Sequence, residues 1–131
     1  MIDLDILDAV RTAVPTATVV SQKPSVWPAN LVLITRAGGR ANNGSWSPGQ
    51  PGRIESANFV IQVWSDTQYK AGTLAETVRD FLWGLGGSRI GATPIYNVQE
   101  SAGLSYLPDA SAPAKYQQRY TFGVSLRTRK A

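Results

Sequence analysis

At 131 residues the chain suits a single domain with an ordinary hydrophobic core, and we expect residues 1–131 to form one unit. It contains neither cysteine nor histidine, which excludes disulfides, thiol catalysis, cysteine zinc sites and every site built on an imidazole. The net charge of +4 favours acidic partners but is lower than that of most dedicated DNA-binding proteins.

The first segment, Ile2 to Val14, has the apolar spacing of an amphipathic helix, and Pro15 ends it. Asp3 and Asp5 fall in its first turn, where negative charge is favourable toward the helix dipole. There is no basic leader region, and no apolar run approaches the roughly 20 residues that span a bilayer. We therefore expect no signal peptide, no membrane span and a protein that is made and used in a cytoplasm.

Two strands are predicted next. The β-branched residues between Thr16 and Lys23 favour a short edge strand. The run from Leu31 to Thr35 is continuously apolar, which is typical of a strand buried on both faces; a helix is the weaker alternative.

The composition of residues 37–53, rich in glycine, proline and asparagine, predicts a long loop. Arg36, Arg40 and Arg53 flank or enter it, and Trp46 lies at its middle. Tryptophan is a residue that interfaces favour, so one hypothesis is that the loop orders against a partner. The other is a hairpin tip with Trp46 packed against the body of the domain.

Between Arg53 and Leu85 a strand runs directly into a helix. Phe59, Ile61 and Val63 alternate with Val60, Gln62 and Trp64, which indicates a strand with both faces partly covered. From Ser65 the apolar residues recur at spacings of three and four. Ser65 or Asp66 is predicted to cap this helix, and the glycines at 84, 86 and 87 are predicted to end it.

The remaining strands are predicted at Pro94–Ser101 and Tyr116–Arg127. The first is expected to bulge at Ala102–Gly103 and to continue to Leu107. The second alternates cleanly, with Tyr120, Phe122, Val124 and Leu126 toward the core and Arg127 outward. We expect a second mobile loop at about 107–115 and a frayed tail at 128–131.

These elements predict the order α-β-β-β-α-β-β. Each helix has one apolar stripe to bury, so the economical arrangement packs both helices on one face of a sheet. The predicted fold class is α+β, a two-layer domain with a mostly antiparallel or mixed sheet of about four to five strands.

No pattern indicates catalysis. The glycines at 84–87 follow a helix and lack the lysine of a phosphate loop, so they predict helix capping. The available carboxylates are Asp66, Glu76, Asp80, Glu100 and Asp109. Glu76 and Asp80 accompany Arg79 on the solvated side of the helix, which predicts a salt-bridged surface. We expect a protein that is not an enzyme and that has no cofactor and no metal.

Nucleic-acid binding is the alternative class. The C-terminal strand carries Arg119, Arg127 and Arg129 with tyrosines nearby, a composition that contacts phosphate backbones. Outward arginine on an edge strand also protects the edge from pairing with other strands, so this pattern has two explanations.

Three stretches together resemble a known family. They are Arg53-Ile54-Glu55, Phe59 to Ser65, and Ala71 to Arg79. Downstream, Glu100 to Leu104, Leu107-Pro108-Asp109 and Arg119 to Arg127 look like the later strands of the same family. From about Pro24 to Arg127 the chain is similar to the tail terminator proteins of long-tailed, siphovirus-type bacteriophages, especially those of actinobacterial hosts.

The resemblance implies a structural virion protein that forms a hexameric ring on the head-proximal end of the tail tube. Such a ring ends tube polymerisation and provides the surface that joins the tail to the head. The implied partners are other copies of the chain, the tail tube protein and a head-tail connector or stopper protein, with DNA passing through the lumen unread. The implied location is the virion tail, after assembly in the host cytoplasm. Another head-tail junction protein, such as a tail completion or connector protein, is the nearest alternative.

The family pattern specifies no functional residues, so the interface candidates come from the chain itself. They are Arg36, Arg40, Trp46, Arg53, Arg127 and Arg129. A ring needs head-to-tail contacts between different patches of neighbouring copies. The acidic N-terminal helix against the basic C-terminal strand is one charge-complementary choice.

Overall fold

A computed structural model describes residues 2–41 and 54–129, with no side-chain description at 39–41, 54 and 129. The chain forms α1 (Ile2–Ala13), β1 (Thr18–Val20), β2 (Asn30–Ala41), β3 (Ile54–Ser65), α2 (Gln68–Trp83), β4 (Ser88–Ile90), β5 (Thr93–Tyr106) and β6 (Gln118–Arg129). A short 3-10 turn, Ala114–Tyr116, precedes β6. The predicted α+β class is confirmed, but the sheet has six strands instead of four to five. The additional strand is β4, in a segment predicted as a connection.

The strands form one mixed sheet in the order β1-β2-β3-β6-β5-β4. Only β1 and β2 are parallel among these pairs; the others are antiparallel. Both edges of the sheet are strands of three residues. The predicted edge position of β1 is confirmed. Because both edge strands are short, they offer few free backbone groups to another chain.

The main core lies between the two helices and one face of the sheet. α1 contributes Ile6 and Val10, and α2 contributes Ala75, Val78 and Leu82. The sheet residues of this cluster alternate along the strands: Val32 and Ile34 in β2, Ala57, Phe59, Ile61 and Val63 in β3, Val98 in β5, and Phe122, Val124 and Leu126 in β6. The two-residue period of the strands thus gives the sheet one face that packs against the helices.

Strand β2 is buried on both faces from Leu31 to Ile34, as its apolar run predicts. It continues to Ala41, into the segment predicted as a loop, with an irregularity in its pairing to β3 between Arg36 and Gly39. Gly38 has φ 97° there, a conformation that glycine adopts without a Cβ penalty. The rest of the predicted loop, residues 42–53, lies outside the described residues.

Helix α2 begins later than predicted. Its N-cap is Thr67, whose hydroxyl accepts a 3.1 Å hydrogen bond from the Lys70 backbone N–H. Ser65 is instead the last residue of β3, and its buried hydroxyl donates to Asn30 at 2.8 Å. The predicted cap at Ser65 or Asp66 is therefore wrong. Ser65 belongs to β3, and the Asp66 carboxylate accepts hydrogen bonds from the Ser65 hydroxyl and the Lys70 ammonium.

The last two strands follow the predicted pattern with small changes. Pairing of β5 with β6 shifts on both sides of Ala102, as the predicted bulge requires. β6 extends to Arg129, so residues 128 and 129 belong to the strand and not to a frayed tail. Thr128 is buried, and its hydroxyl donates a 2.8 Å hydrogen bond to the Pro94 carbonyl.

Candidate assembly surface

The face of the sheet that points away from the helices has a polar part. Strand alternation places these residues on it: Ser56, Asn58 and Gln62 of β3, Thr121, Ser125 and Arg127 of β6, and Asn97 and Gln99 of β5. We call these eight residues the polar sheet face. They are half-buried or exposed, so this part of the sheet carries no second layer among the described residues.

A hollow of about 180 Å³ lies in the polar sheet face and is lined by Ser56, Asn97, Gln99, Ser125 and Arg127. Ser56 and Arg127 are paired across β3 and β6, and Asn97 is paired with Arg127 across β5 and β6. The lining consists of hydroxyls, amides and one guanidinium, with no carboxylate. It therefore offers hydrogen-bond donors and one positive charge.

Arg127 is exposed and forms no ion pair with any side chain that the structure describes. Most other cationic side chains in the described ranges have an anionic neighbour: Arg11 with Asp8, Arg36 with Asp3, Lys70 with Asp66, Arg79 with Glu100, and Arg119 with Asp109. Its predicted outward position is confirmed, and its charge is available to a partner.

The other part of the same face is covered. Leu31, Leu33 and Trp64 form a second buried cluster with Ala112, and Val20 and Trp27 pack against it. Trp27 meets the Trp64 ring edge-on, with centroids 5.6 Å apart. The segment from Leu107 to Gln117 covers Trp64, which is completely buried.

Asp109 holds this covering segment in place. Its Oδ2 accepts a 3.1 Å hydrogen bond from the Trp64 indole, and its Oδ1 accepts bonds from the Ser111 backbone N–H and hydroxyl. Burial works to raise the pKa of the Asp109 carboxyl, but the hydrogen bonds from Ser111 and Trp64 and the nearby Arg119 charge outweigh it and lower that pKa. The expected mobility of 107–115 is untested and stays a prediction.

Arg36 lies on the helix side of the sheet. Its guanidinium bonds Asp3 of α1 at 2.8 Å and lies 5.5 Å from the centre of the Phe59 ring. It thus joins α1 to β2. The predicted contact of Arg36 with a partner protein stays a prediction. Its side chain already has partners within the subunit.

The other interface candidates are less fully placed. Arg40 is paired with Ser56, and Arg129 with Ile54, at the same end of the sheet. The side chains of Arg40 and Arg129 are not described. Trp46 and Arg53 lie outside the described residues. Of these four candidates, the structure brings together only the backbone positions of Arg40 and Arg129.

The N-terminal acids have internal partners. Asp3 bonds Arg36, Asp5 accepts from the Thr93 hydroxyl, and Asp8 bonds Arg11 at 3.2 Å. A contact between this helix and a neighbour's basic strand would have to compete with these bonds. Asp3 and Asp5 fasten α1 to the sheet, which the charge pattern alone did not indicate, whereas the Asp8 pair lies within α1.

Helix α2 presents an exposed ridge between two hollows. Tyr69, 83% exposed, and Thr73 line both of them. One hollow, of about 590 Å³, has Tyr120 in its lining, and the other, of about 350 Å³, lies toward Val14 and Pro15 at the end of α1. An exposed aromatic side chain beside concave surface is a typical anchor of protein interfaces. Tyr69 was not predicted from the sequence as an interface residue, although its place just outside the apolar stripe of α2 was a usable signal.

The candidate carboxylates are dispersed. Arg79 binds Glu100 of β5 through Nε and Nη2, at 2.8 and 3.2 Å, and not Glu76 or Asp80 as predicted. The Arg79 hydrogen bonds lower the pKa of Glu100 against the opposing effect of burial. Within residues 2–41 and 54–129 no three acidic side chains cluster closely enough to hold a metal, and no helix is long and apolar enough to cross a membrane.

Comparison with known proteins gives a shared fold. No protein-family model matches the chain, and no curated protein matches it. It is similar in structure to a chain from the virion of native gene transfer agent (GTA) particle, with a TM-score of 0.58 and 17% sequence identity over 95% of this chain and 84% of that chain. At this identity the likeness concerns the fold alone.

Proposed function

We propose that the protein is a structural virion protein, a tail terminator that forms a hexameric ring on the head-proximal end of a phage tail tube. The observation that carries the proposal is the fold, which is shared over nearly the whole chain with a chain of a gene transfer agent virion. The resemblance of the strand-helix stretch from Arg53 to Arg79 to tail terminators supplies the finer assignment. In this role the protein has no catalytic site and no cofactor, and it ends tube growth and joins the tail to the head.

Its surface meets the demands of such a ring. Head-to-tail contacts in a closed ring join two different patches on neighbouring copies. The described chain exposes large apolar side chains at separate places, with Tyr69 at the start of α2, Trp83 at its end and Leu4 on α1. Separate patches allow one copy to bind two neighbours at once.

Most of the positive charge is engaged inside the subunit, which disfavours the nucleic-acid-binding alternative as the main role. A protein that binds nucleic acid through many phosphate contacts needs several free cations on one surface. On the polar sheet face Arg127 is the free cation among the described side chains.

The deciding experiment is the solution mass of the purified protein by light scattering, alone and after mixing with purified tail tube protein. A hexamer, or a monomer that caps tube ends and stops their elongation, supports the proposal. A monomer that neither caps tubes nor changes their length overturns it. A protein that binds the head-side connector but leaves tube length unchanged supports the neighbouring junction role instead.

Two substitutions then locate the contacts. We expect Tyr69→Ser to weaken ring formation or tube capping, because it removes the exposed ring between the two hollows. Tyr96→Ser is the matched control, since Tyr96 is also exposed but lies on β5 away from those hollows. The sequence-based contacts Arg40 and Trp46 are tested in the same assay.

A further inference from the structure

We infer that the polar sheet face is a sequence-neutral contact surface for the backbone of double-stranded DNA, with Arg127 as its phosphate-binding side chain. The inference names the surface that meets DNA in the ring proposed above, and to that extent it rests on the proposed function. It concerns weak backbone contact and not recognition of a base sequence.

The first observation is the charge of Arg127. A guanidinium is always protonated and presents a planar set of donors that matches phosphate oxygens. Arg79 donates to Glu100. Arg119 donates to the Leu107 carbonyl and pairs with Asp109. Arg127 has no such partner among the described residues. Among the described side chains of this face, its charge is therefore the one that a phosphate can neutralise.

The second observation is the chemistry around Arg127. The other lining residues of the 180 Å³ hollow are Ser56, Asn97, Gln99 and Ser125. The side-chain oxygen of Asn97 accepts from the Val98 backbone N–H at 2.9 Å, which leaves its amide NH₂ as the end able to donate to a ligand. Hydroxyls and amides contact phosphate oxygens without reading bases, and no carboxylate of the lining repels an anion.

The third observation is the shape of the surface. The helices cover one face of the sheet, and the segment from Leu107 to Gln117 covers only the Trp64 end of the other face. The polar sheet face is left uncovered, and its side chains are polar. An uncovered apolar surface would instead indicate a protein partner. Charge complementarity thus favours a polyanion over a second packed layer.

The test is fluorescence anisotropy of labelled 20-base-pair duplexes of two unrelated sequences, titrated over a salt series with the wild-type protein and variants. We expect equal binding of both duplexes by the wild-type protein. Arg127→Gln should weaken binding of both equally and lower the slope of log affinity against log salt by about 0.9, the share of one phosphate contact. Gln99→Lys, at an exposed position in the same hollow, should raise the affinity and the slope.

Arg89→Gln is the matched control. Arg89 is exposed on β4, has no ion pair among the described side chains and lies outside the hollow, so the variant removes the same net charge elsewhere. Wild-type slope and affinity in this variant support the inference. An equal loss in both arginine variants, an unchanged Arg127→Gln variant, or no measurable binding by the wild-type protein at low salt overturns it. The mass measurement of the ring is independent of these titrations, so failure of either proposal is recognised separately.

Discussion

The indole nitrogen of Trp64 donates a 3.1 Å hydrogen bond to the carboxylate of Asp109, across 45 residues of sequence. Both side chains are buried on the face of the sheet that the helices do not cover. The bond fastens the segment after β5 over a completely buried tryptophan. Asp109, a polar residue of a loop, is thus bound to the second buried cluster.

We expect Asp109→Asn to destabilise the protein by about 1–3 kcal/mol, the cost of leaving a buried polar group unsatisfied. Asparagine has one acceptor oxygen, so it cannot serve both the Trp64 indole and the two Ser111 donors. Urea denaturation followed by tryptophan fluorescence measures the change. Asp8→Asn is the control, because Asp8 is exposed in a pair with Arg11 and should change the stability little. Equal effects of the two variants would contradict the assigned role of Asp109.

Stability should fall in acid through Asp109 and Glu100. The folded-state pKa values of both carboxyls are lowered, so the native state binds fewer protons than the unfolded state around those values. Their contribution is fully present above the ordinary carboxyl pKa of about 4 and is lost as the pH falls through the lowered values. Urea midpoints measured from pH 7 to pH 3 should therefore drop below about pH 4. The drop should be smaller in Asp109→Asn, and an identical pH profile would sink this explanation.

Local periodicity predicted most of the fold, because alternation and helical spacing are properties of neighbouring residues. Helix α1, the buried run of β2, the bulge at Ala102 and the alternation of β6 all follow from it. The start of α2 was mispredicted because Ser65, Asp66 and Thr67 are all able to cap. Pairing of Ser65 with Asn30 in the sheet excludes Ser65, and that is a long-range contact.

Strand β4 and the Asp109 contact show the same limit. Ser88–Ile90 is too short to carry a period, and its pairing with Thr93–Ile95 makes it a strand. Asp109 was predicted to lie in a loop, and nothing near it in sequence indicates a buried tryptophan as its partner. The polar sheet face was only partly predictable. The outward position of Arg127 follows from alternation along β6. That Ser56 and Asn97 lie beside it depends on the order of the strands in the sheet.

Gly123 lies against the bulge of β5 and should not tolerate a side chain. A Cβ there would lie 2.6 Å from the Ser101 hydroxyl oxygen and 3.3 Å from the Ala102 backbone nitrogen. We expect Gly123→Ala to cost about 1–3 kcal/mol through overpacking. Thermal or urea unfolding measures it, and Gly103→Ala, where a Cβ meets nothing within 4 Å, should be close to neutral. Equal stability of both variants would show that the bulge moves freely.

The turn before β5 is fitted to the first turn of α1. Gly91 has φ 57°, and a Cβ on it would lie 2.7 Å from Asp5 Oδ1. We expect Gly91→Ala to destabilise the protein by about 1–3 kcal/mol, from backbone strain and from displacement of Asp5. Gly86→Ala, with open space and no positive φ, is the control.

A double-mutant cycle with Asp5→Ala separates the two causes. If the Asp5 carboxylate is the obstacle, Gly91→Ala should cost less in the Asp5→Ala background than in the wild-type protein, because only the backbone strain remains. The difference in the free energy of unfolding, measured by urea denaturation of all four proteins, is the coupling between the helix and the turn. A coupling of zero would mean that the Asp5 carboxylate is not the obstacle to a side chain at residue 91.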